Sequence, residues 1–188
     1  MADTKRIEQA RLMLEHATPL TFDCGTLCGH KCCKDDGFQP DQDIGVYLIP
    51  GELPLFDGTE DWLTWQFHSV QDYDFAPSWE HHGQIPFMQC QKLCRREKRP
   101  LECRTYPLQP LLHENGRLEM VYAPWATGFC PLTERYRVDE LNPAFVEAAH
   151  KAWSLLLEEP EMQDHVRWLS DQIRAFRELP LTACCDDE

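Results

Sequence analysis

Ten cysteines in 188 residues are the side chains of this sequence best suited to chemistry. The first group is Cys24-Gly-Thr-Leu-Cys28-Gly-His-Lys-Cys32-Cys33, and the second is Cys90-Gln-Lys-Leu-Cys94. Cys103 follows inside Arg99-Pro-Leu-Glu-Cys-Arg-Thr-Tyr-Pro-Leu108, Cys130 stands in Phe-Cys-Pro, and Cys184-Cys185 lie in a polar acidic tail. Thiolates bind soft metals when several sulfurs converge on one ion or cluster at about 2.3 Å. Short spacings bring some of them together locally, and the fold must supply the rest. Gly25 and Gly29 are expected to take positive φ and let the backbone wrap tightly around such a centre. If Cys90 and Cys94 sit on a helix, their i, i+4 spacing sets both sulfurs on one face.

Two roles suit so many thiols: metal ligation in a reducing compartment, or a disulfide framework in an oxidising one. The opening MADTKRIEQARLML has neither the apolar stretch nor the small-residue cleavage site of a secretory signal. The expectation is therefore a cytoplasmic metal-binding protein. Zinc ribbons bring ligands as C-x₂-C pairs, which this sequence lacks, whereas spacings of three and the Cys130-Pro131 dipeptide are closer to iron–sulfur ligation. Radical chemistry on S-adenosylmethionine calls for C-x₃-C-x₂-C, which Cys24, Cys28 and Cys32 miss by one residue. Iron, as an iron–sulfur cluster, is favoured over zinc. His30 is a further candidate ligand, with an exposed loop histidine the simpler role. His81-His82 is a candidate second site. Cys184 and Cys185 read as free thiols in a frayed end.

Charge narrows the partners. A formal net charge of -14 argues against a nucleic-acid binder, since phosphate recognition needs concentrated Lys and Arg. No apolar run reaches the roughly 18 residues that span a bilayer. Lys34 to Glu80 carries eleven acidic residues and one basic residue. The sign then reverses, with Lys92, Arg95, Arg96, Lys98, Arg99 and Arg104 against Glu97 and Glu102. This basic island surrounds Cys94 and Cys103, so its cations, Arg99 and Arg104 in particular, are expected to offset the charge of thiolates. Arg104 and Tyr106 are also expected to pack and hydrogen-bond around the second group.

The elements that position these residues are unevenly legible. Ile7, Ala10, Leu12 or Met13, and Leu14 predict a short amphipathic helix over residues 4–16. The stretch from Thr18 to Phe38 has glycine, cysteine and aspartate in place of periodicity, which predicts a loop folded around ligands. Residues 44–49 read as a strand or buried extended segment, and Glu52-Leu53-Pro54 may open another element. Residues 56–89 are aromatic, acidic and weakly patterned. Leu111-Leu112, Asn115-Gly116 and Leu118 to Tyr122 predict a hairpin with a type I′ turn. Asn142-Pro143 starts a helix running to about Glu159, and a second runs from about Glu161 to Leu179. Phe145, Ala149, Trp153, Leu156, Val166, Leu169, Ile173 and Phe176 are their expected core positions. The tryptophans are expected to be core.

The run Cys-x₃-Cys-x₃-Cys-Cys, then Cys-x₃-Cys, then Arg-Pro-x₂-Cys-Arg-x-Tyr-Pro resembles the YkgJ-type family, also described as the CxxCxxCC zinc- or iron-chelating domain, over about residues 20–132. Position by position, the resemblance implies a chelating set of Cys24, Cys28, Cys32, Cys33, Cys90, Cys94, Cys103 and Cys130. The first spacings are wider here than in the family's name pattern, and the Cys90–Cys94 pair is closer than is often seen there. The family also includes the cysteine-rich part of flagellin lysine N-methylases. This chain lacks the glycine-rich strand–loop–helix of a methyl-donor site, so self-sufficient methyl transfer is not expected, and no hydrolase or nucleotide motif is present.

The sequence therefore predicts an α+β fold, mainly α: an irregular cysteine-rich domain over 1–180 with a short β-hairpin, two covering helices over 142–179, and an acidic tail over 181–188. Its expected function is to hold a cysteine-ligated centre, structural or electron-carrying. The alternatives are an enzyme or accessory subunit of a protein-modifying, methylase-like system, and metal storage or delivery. The partners expected are a metal ion or cluster and an unidentified protein, with no nucleic acid and no membrane.

Overall fold

Asn142, Pro143 and Pro160 set the two longest helices. The Asn142 side chain accepts from Ala144 N at 3.1 Å, Pro143 occupies the first helical position, and Pro160 starts the next helix immediately after the break. The computed structural model describes residues 3–33, 44–71, 75–79 and 82–179, and Cys184, Cys185 and His81 lie outside them. Among the described residues the α-helices are α1 (Thr4–Met13), α2 (Leu101–Thr105), α3 (Leu132–Arg135), α4 (Pro143–Leu156) and α5 (Pro160–Glu178). Strands β1 (Gly45–Tyr47), β2 (Leu63–Ser69) and β3 (Gln84–Cys90) form one antiparallel sheet in the order β1-β3-β2. Strands β4 (Leu108–Leu112) and β5 (Leu118–Tyr122) form the hairpin. The fold is a small α+β arrangement.

The main core lies between α1, α4 and the start of α5. Ile7, Ala10 and Leu14 meet Phe145, Ala149, Ala152, Trp153 and Leu156, with Met162 and Val166 beside them. Leu12 and Met13, offered by the sequence as alternatives for that stripe, are exposed. The hairpin packs on α5 through Leu111, Val121, Leu169 and Ile173. Phe176, expected in the core, is 47% exposed because α5 runs past the hairpin it covers. Trp62, Trp79 and Trp153 are buried as expected, whereas Trp125 is 42% exposed.

Two local expectations are corrected. The hairpin turn is not type I′, which needs positive φ at both central residues. Only Gly116 has positive φ there, at 81°, and the turn closes by Gly116 N to His113 O at 2.9 Å, with five residues between the strands. The stretch 56–89, which reads as weakly patterned, contains β2 and β3, the long strands of the larger sheet. No described helix is long and apolar enough to cross a membrane.

Candidate metal centre

Four segments bring their cysteines towards one cavity of about 900 Å³. The 3₁₀ turns Cys24–Leu27 and Lys31–Cys33 supply Cys24, Cys28, Cys32 and Cys33, helix α2 supplies Cys103, and the loop before α3 supplies Cys130. Asp23 caps the first turn by accepting from Gly25 N at 3.0 Å. Gly29 has φ 65° and His30 has φ 63°, so the chain reverses between Cys28 and Cys32. Gly25 is needed for a different reason from the one its spacing suggests. Its φ is not positive; a Cβ there would stand inside the His30 imidazole. His30 thus packs on the turn.

Cys90 and Cys94 do not share a helix face. Cys90 ends β3, and Cys94 lies in the following irregular segment, 8% exposed and packed with Leu48, Phe56, Trp62, Leu63 and Met88. A strand end displaces the expected helix because residues 84–90 pair with both β1 and β2.

The sulfurs form two neighbouring sets. Cys32 Sγ lies 3.8 Å from Cys33 Sγ, and Cys33 neighbours Cys94, which lies beside Arg99. Cys103 and Cys90 interact electrostatically with this row. In the other set Cys24 interacts with Cys28 and Cys130, and the Thr133 amide and hydroxyl donate to the Cys130 carbonyl at 3.0 and 2.8 Å. Tyr106 interacts with Cys130, Cys32, Cys28 and Cys103, which places it between the two sets. All eight of these cysteines are free thiols. Among the described residues no three thiol, imidazole or carboxylate donors form a group able to hold one metal ion as they stand.

Burial and thiol–thiol contact hold six of these thiols, Cys24, Cys33, Cys90, Cys94, Cys103 and Cys130, in their protonated form. Burial pushes Cys24 and Cys90 up to about 11, and it raises Cys103 well above the ordinary thiol range. Contact with Cys32, then burial, pushes Cys33 up to about 12. Contact with Cys33, then burial, raises Cys94 further. Arg99 opposes the shift at Cys24, Cys33, Cys90 and Cys94.

The basic island divides by role. Arg99 faces the thiols and favours their ionised forms. Arg104, expected both to offset thiolate charge and to pack and hydrogen-bond, takes the second role, donating to Arg99 O at 2.8 Å, Glu97 O at 2.8 Å and Arg11 O at 3.2 Å. Arg96 caps the end of α1, donating to Glu15 O at 2.7 Å, to Leu14 O and to Ala17 O. Lys92 and Lys98 pair with Asp61 and Asp57 at the surface. The segment carrying α2 is thereby bound to α1. Glu52 completes the joint: its fully buried carboxyl accepts from Leu101 N at 2.8 Å and lies 4.0 Å from Arg11 Nε.

Sequence reasoning missed the opposite wall of the cavity. Gln109 on β4 and His165 and Trp168 on α5 line it, as does Glu102 beside Cys103. The signal was available for His165, which shares the apolar face of α5 with Met162, Val166 and Leu169 and is 6% exposed. A polar ring on a core stripe needs a partner.

Comparison with family models, with curated proteins and with solved structures finds no match for this chain.

Proposed function

We propose that this protein holds a metal centre through Cys24, Cys28, Cys32, Cys33, Cys90, Cys94, Cys103 and Cys130, with iron as an iron–sulfur cluster favoured over zinc, in a structural or electron-carrying role. The observation that carries this reading is the gathering of six of these free thiols, all but Cys90 and Cys94, around one cavity that Arg99 also lines. Eight soft donors suit zinc or a cluster chemically. Burial and thiol–thiol contact raise Cys24, Cys33, Cys90, Cys94, Cys103 and Cys130, and a bound cation lowers thiol pKa enough to deprotonate a buried sulfur. The Arg99 cation beside Cys94 is a supporting charge of the kind that tunes a thiolate centre. The YkgJ-type resemblance of residues 20–132 points the same way and remains part of the proposal.

In this reading the irregular turns 24–33 and the joint between α1 and α2 draw part of their stability from ligation, since metal binding free energy is then folding free energy. Thermal unfolding of the purified protein before and after anaerobic treatment with a strong chelator tests it. Chelation that removes the metal is expected to broaden or abolish the transition; an unchanged melt after the metal has been removed contradicts a structural centre.

A further inference from the structure

The cavity that the thiols line has a second wall built for something other than metal. Helix α5 presents His165 and Trp168 to it, β4 presents Gln109, and α2 presents Glu102. Gln109 is 3% exposed and its Oε1 is buried without a hydrogen-bond partner among the described residues. The same holds for both ring nitrogens of His165 and for Trp168 Nε1. His165 Nε2 lies 3.5 Å from Glu102 Oε1, a charge contact too long for a well-formed hydrogen bond. A buried donor or acceptor left unmade is costly, and four such atoms belong to residues of this one wall.

Their pattern defines what fits. Gln109 Oε1 and Glu102 accept, Trp168 Nε1 donates, and the His165 imidazole does either. Flat apolar rings flank them: Phe75 lies 6.3 Å from Trp168, centroid to centroid, and Trp79 and Tyr47 pack in the same cluster. Trp153 stacks behind His165 at an interplanar angle of 10° and fixes the imidazole plane. Glu102 disfavours an anion at this wall, whereas the cations lining the cavity, Lys31, Arg96, Arg99 and Arg104, belong to the thiol-bearing side. At about 900 Å³, the cavity is within the range of small-molecule sites, which are mostly apolar with a few placed polar groups.

We propose that this wall binds a flat, neutral or cationic nitrogen heterocycle carrying an amino or carboxamide group. The ligand's N–H groups donate to Gln109 Oε1 and Glu102, and its ring nitrogen or carbonyl accepts from Trp168 Nε1. The aromatic rings cover its faces. The inference rests on the cavity wall and stands whether or not the thiols hold metal.

The test is calorimetric titration of the full chain, as purified, with nicotinamide, with adenine, and with benzoate as a flat anion lacking an N–H. At least one heterocycle is expected to bind with a Kd of about 0.1–1 mM, with benzoate silent. Gln109→Leu and Trp168→Phe are each expected to weaken that binding about tenfold, since the first removes the amide and the second the indole N–H while both leave an apolar side chain in place. Trp168→Phe keeps the test readable should Gln109→Leu fold poorly. The proposal is overturned if neither heterocycle binds up to about 10 mM, if benzoate binds equally well, or if Trp168→Phe leaves the affinity unchanged.

Discussion

The Arg99 guanidinium lies beside the Cys94 thiol and favours its ionised form, against burial and the neighbouring Cys33, which raise its pKa. Five residues away, Arg104 turns from the sulfurs and binds three backbone carbonyls. Two arginines of one basic run thus have separable tasks, one electrostatic and one architectural.

Substituting them separates those tasks. Arg99→Gln is expected to weaken metal retention about tenfold in a chelator competition, in the range found for groups that support ligands from outside the first coordination sphere. Its urea midpoint after metal removal should change little. Arg104→Gln is expected to cost about 2–4 kcal/mol in urea unfolding, because three carbonyls lose a charged donor. Equal effects of both variants on chelator competition, at equal stability, would contradict the division.

Metal binding should release protons and strengthen with pH. Burial and thiol–thiol contact hold Cys24, Cys33 and Cys90 protonated at neutral pH, with pKa values of about 11, 12 and 11. Each ligated thiol must therefore surrender its proton, and affinity rises about tenfold per pH unit for every proton displaced. Zinc titration of the metal-free protein in weak buffer with an indicator dye measures the count. Release of two or more protons per zinc near pH 7 is expected; none would mean that the thiols do not ligate it.

Glu52 makes a second pH dependence. Complete burial pushes its carboxyl up to about 7, against the opposing pull of Arg11. The folded state then holds a proton that the unfolded chain releases near pH 4.5. Relative to Glu52→Gln, which keeps an acceptor for Leu101 N, the wild-type protein should be as stable below pH 4.5 and lose stability as pH rises towards 7, by up to about 3 kcal/mol. Above that pH the difference should be flat. Chemical unfolding of both proteins from pH 4 to 8 reads it directly, and a wild-type advantage that grows with pH would show that the Arg11 pair outweighs burial.

Gly25→Ala is expected to dislodge the His30 ring and disturb the turn carrying Cys24 and Cys28, at about 1–3 kcal/mol. The double variant Gly25→Ala with His30→Ala should recover most of that loss, and His30→Ala alone should leave metal content unchanged. Loss of metal in His30→Ala would make His30 a ligand.

The helices were legible where local chemistry agreed with packing: Asn142 with Pro143, and Pro160, mark starts that the structure keeps. The larger sheet was not. Leu63, Trp65 and Phe67 alternate with polar residues as a strand should, but Phe67 is 50% exposed, so the alternation does not mark a buried face. Pro86 falls in the central strand, where proline argues against pairing. The structure accommodates it just beyond the last β1 pair, Tyr47 with Phe87, and its carbonyl accepts from Leu48 N at 3.0 Å. The cysteines announced a site by type and spacing, and the basic island announced an electrostatic and a packing role, but which of Arg96, Arg99 and Arg104 takes which did not follow from sequence. They differ only in which carbonyls and thiols the docking of α1 brings within reach.

The central claim is a thiolate-held metal centre, and anaerobic purification with analysis of iron, zinc and acid-labile sulfide, alongside an absorption spectrum and a count of reactive thiols, tests it most directly. A brown protein containing iron and sulfide, absorbing near about 400 nm, with Cys24 to Cys130 protected from a thiol reagent, is the predicted result. Colourless protein with stoichiometric zinc and the same protection would retain the centre and change its metal. Protein free of iron and zinc, with all eight thiols reacting under native conditions, would contradict the account.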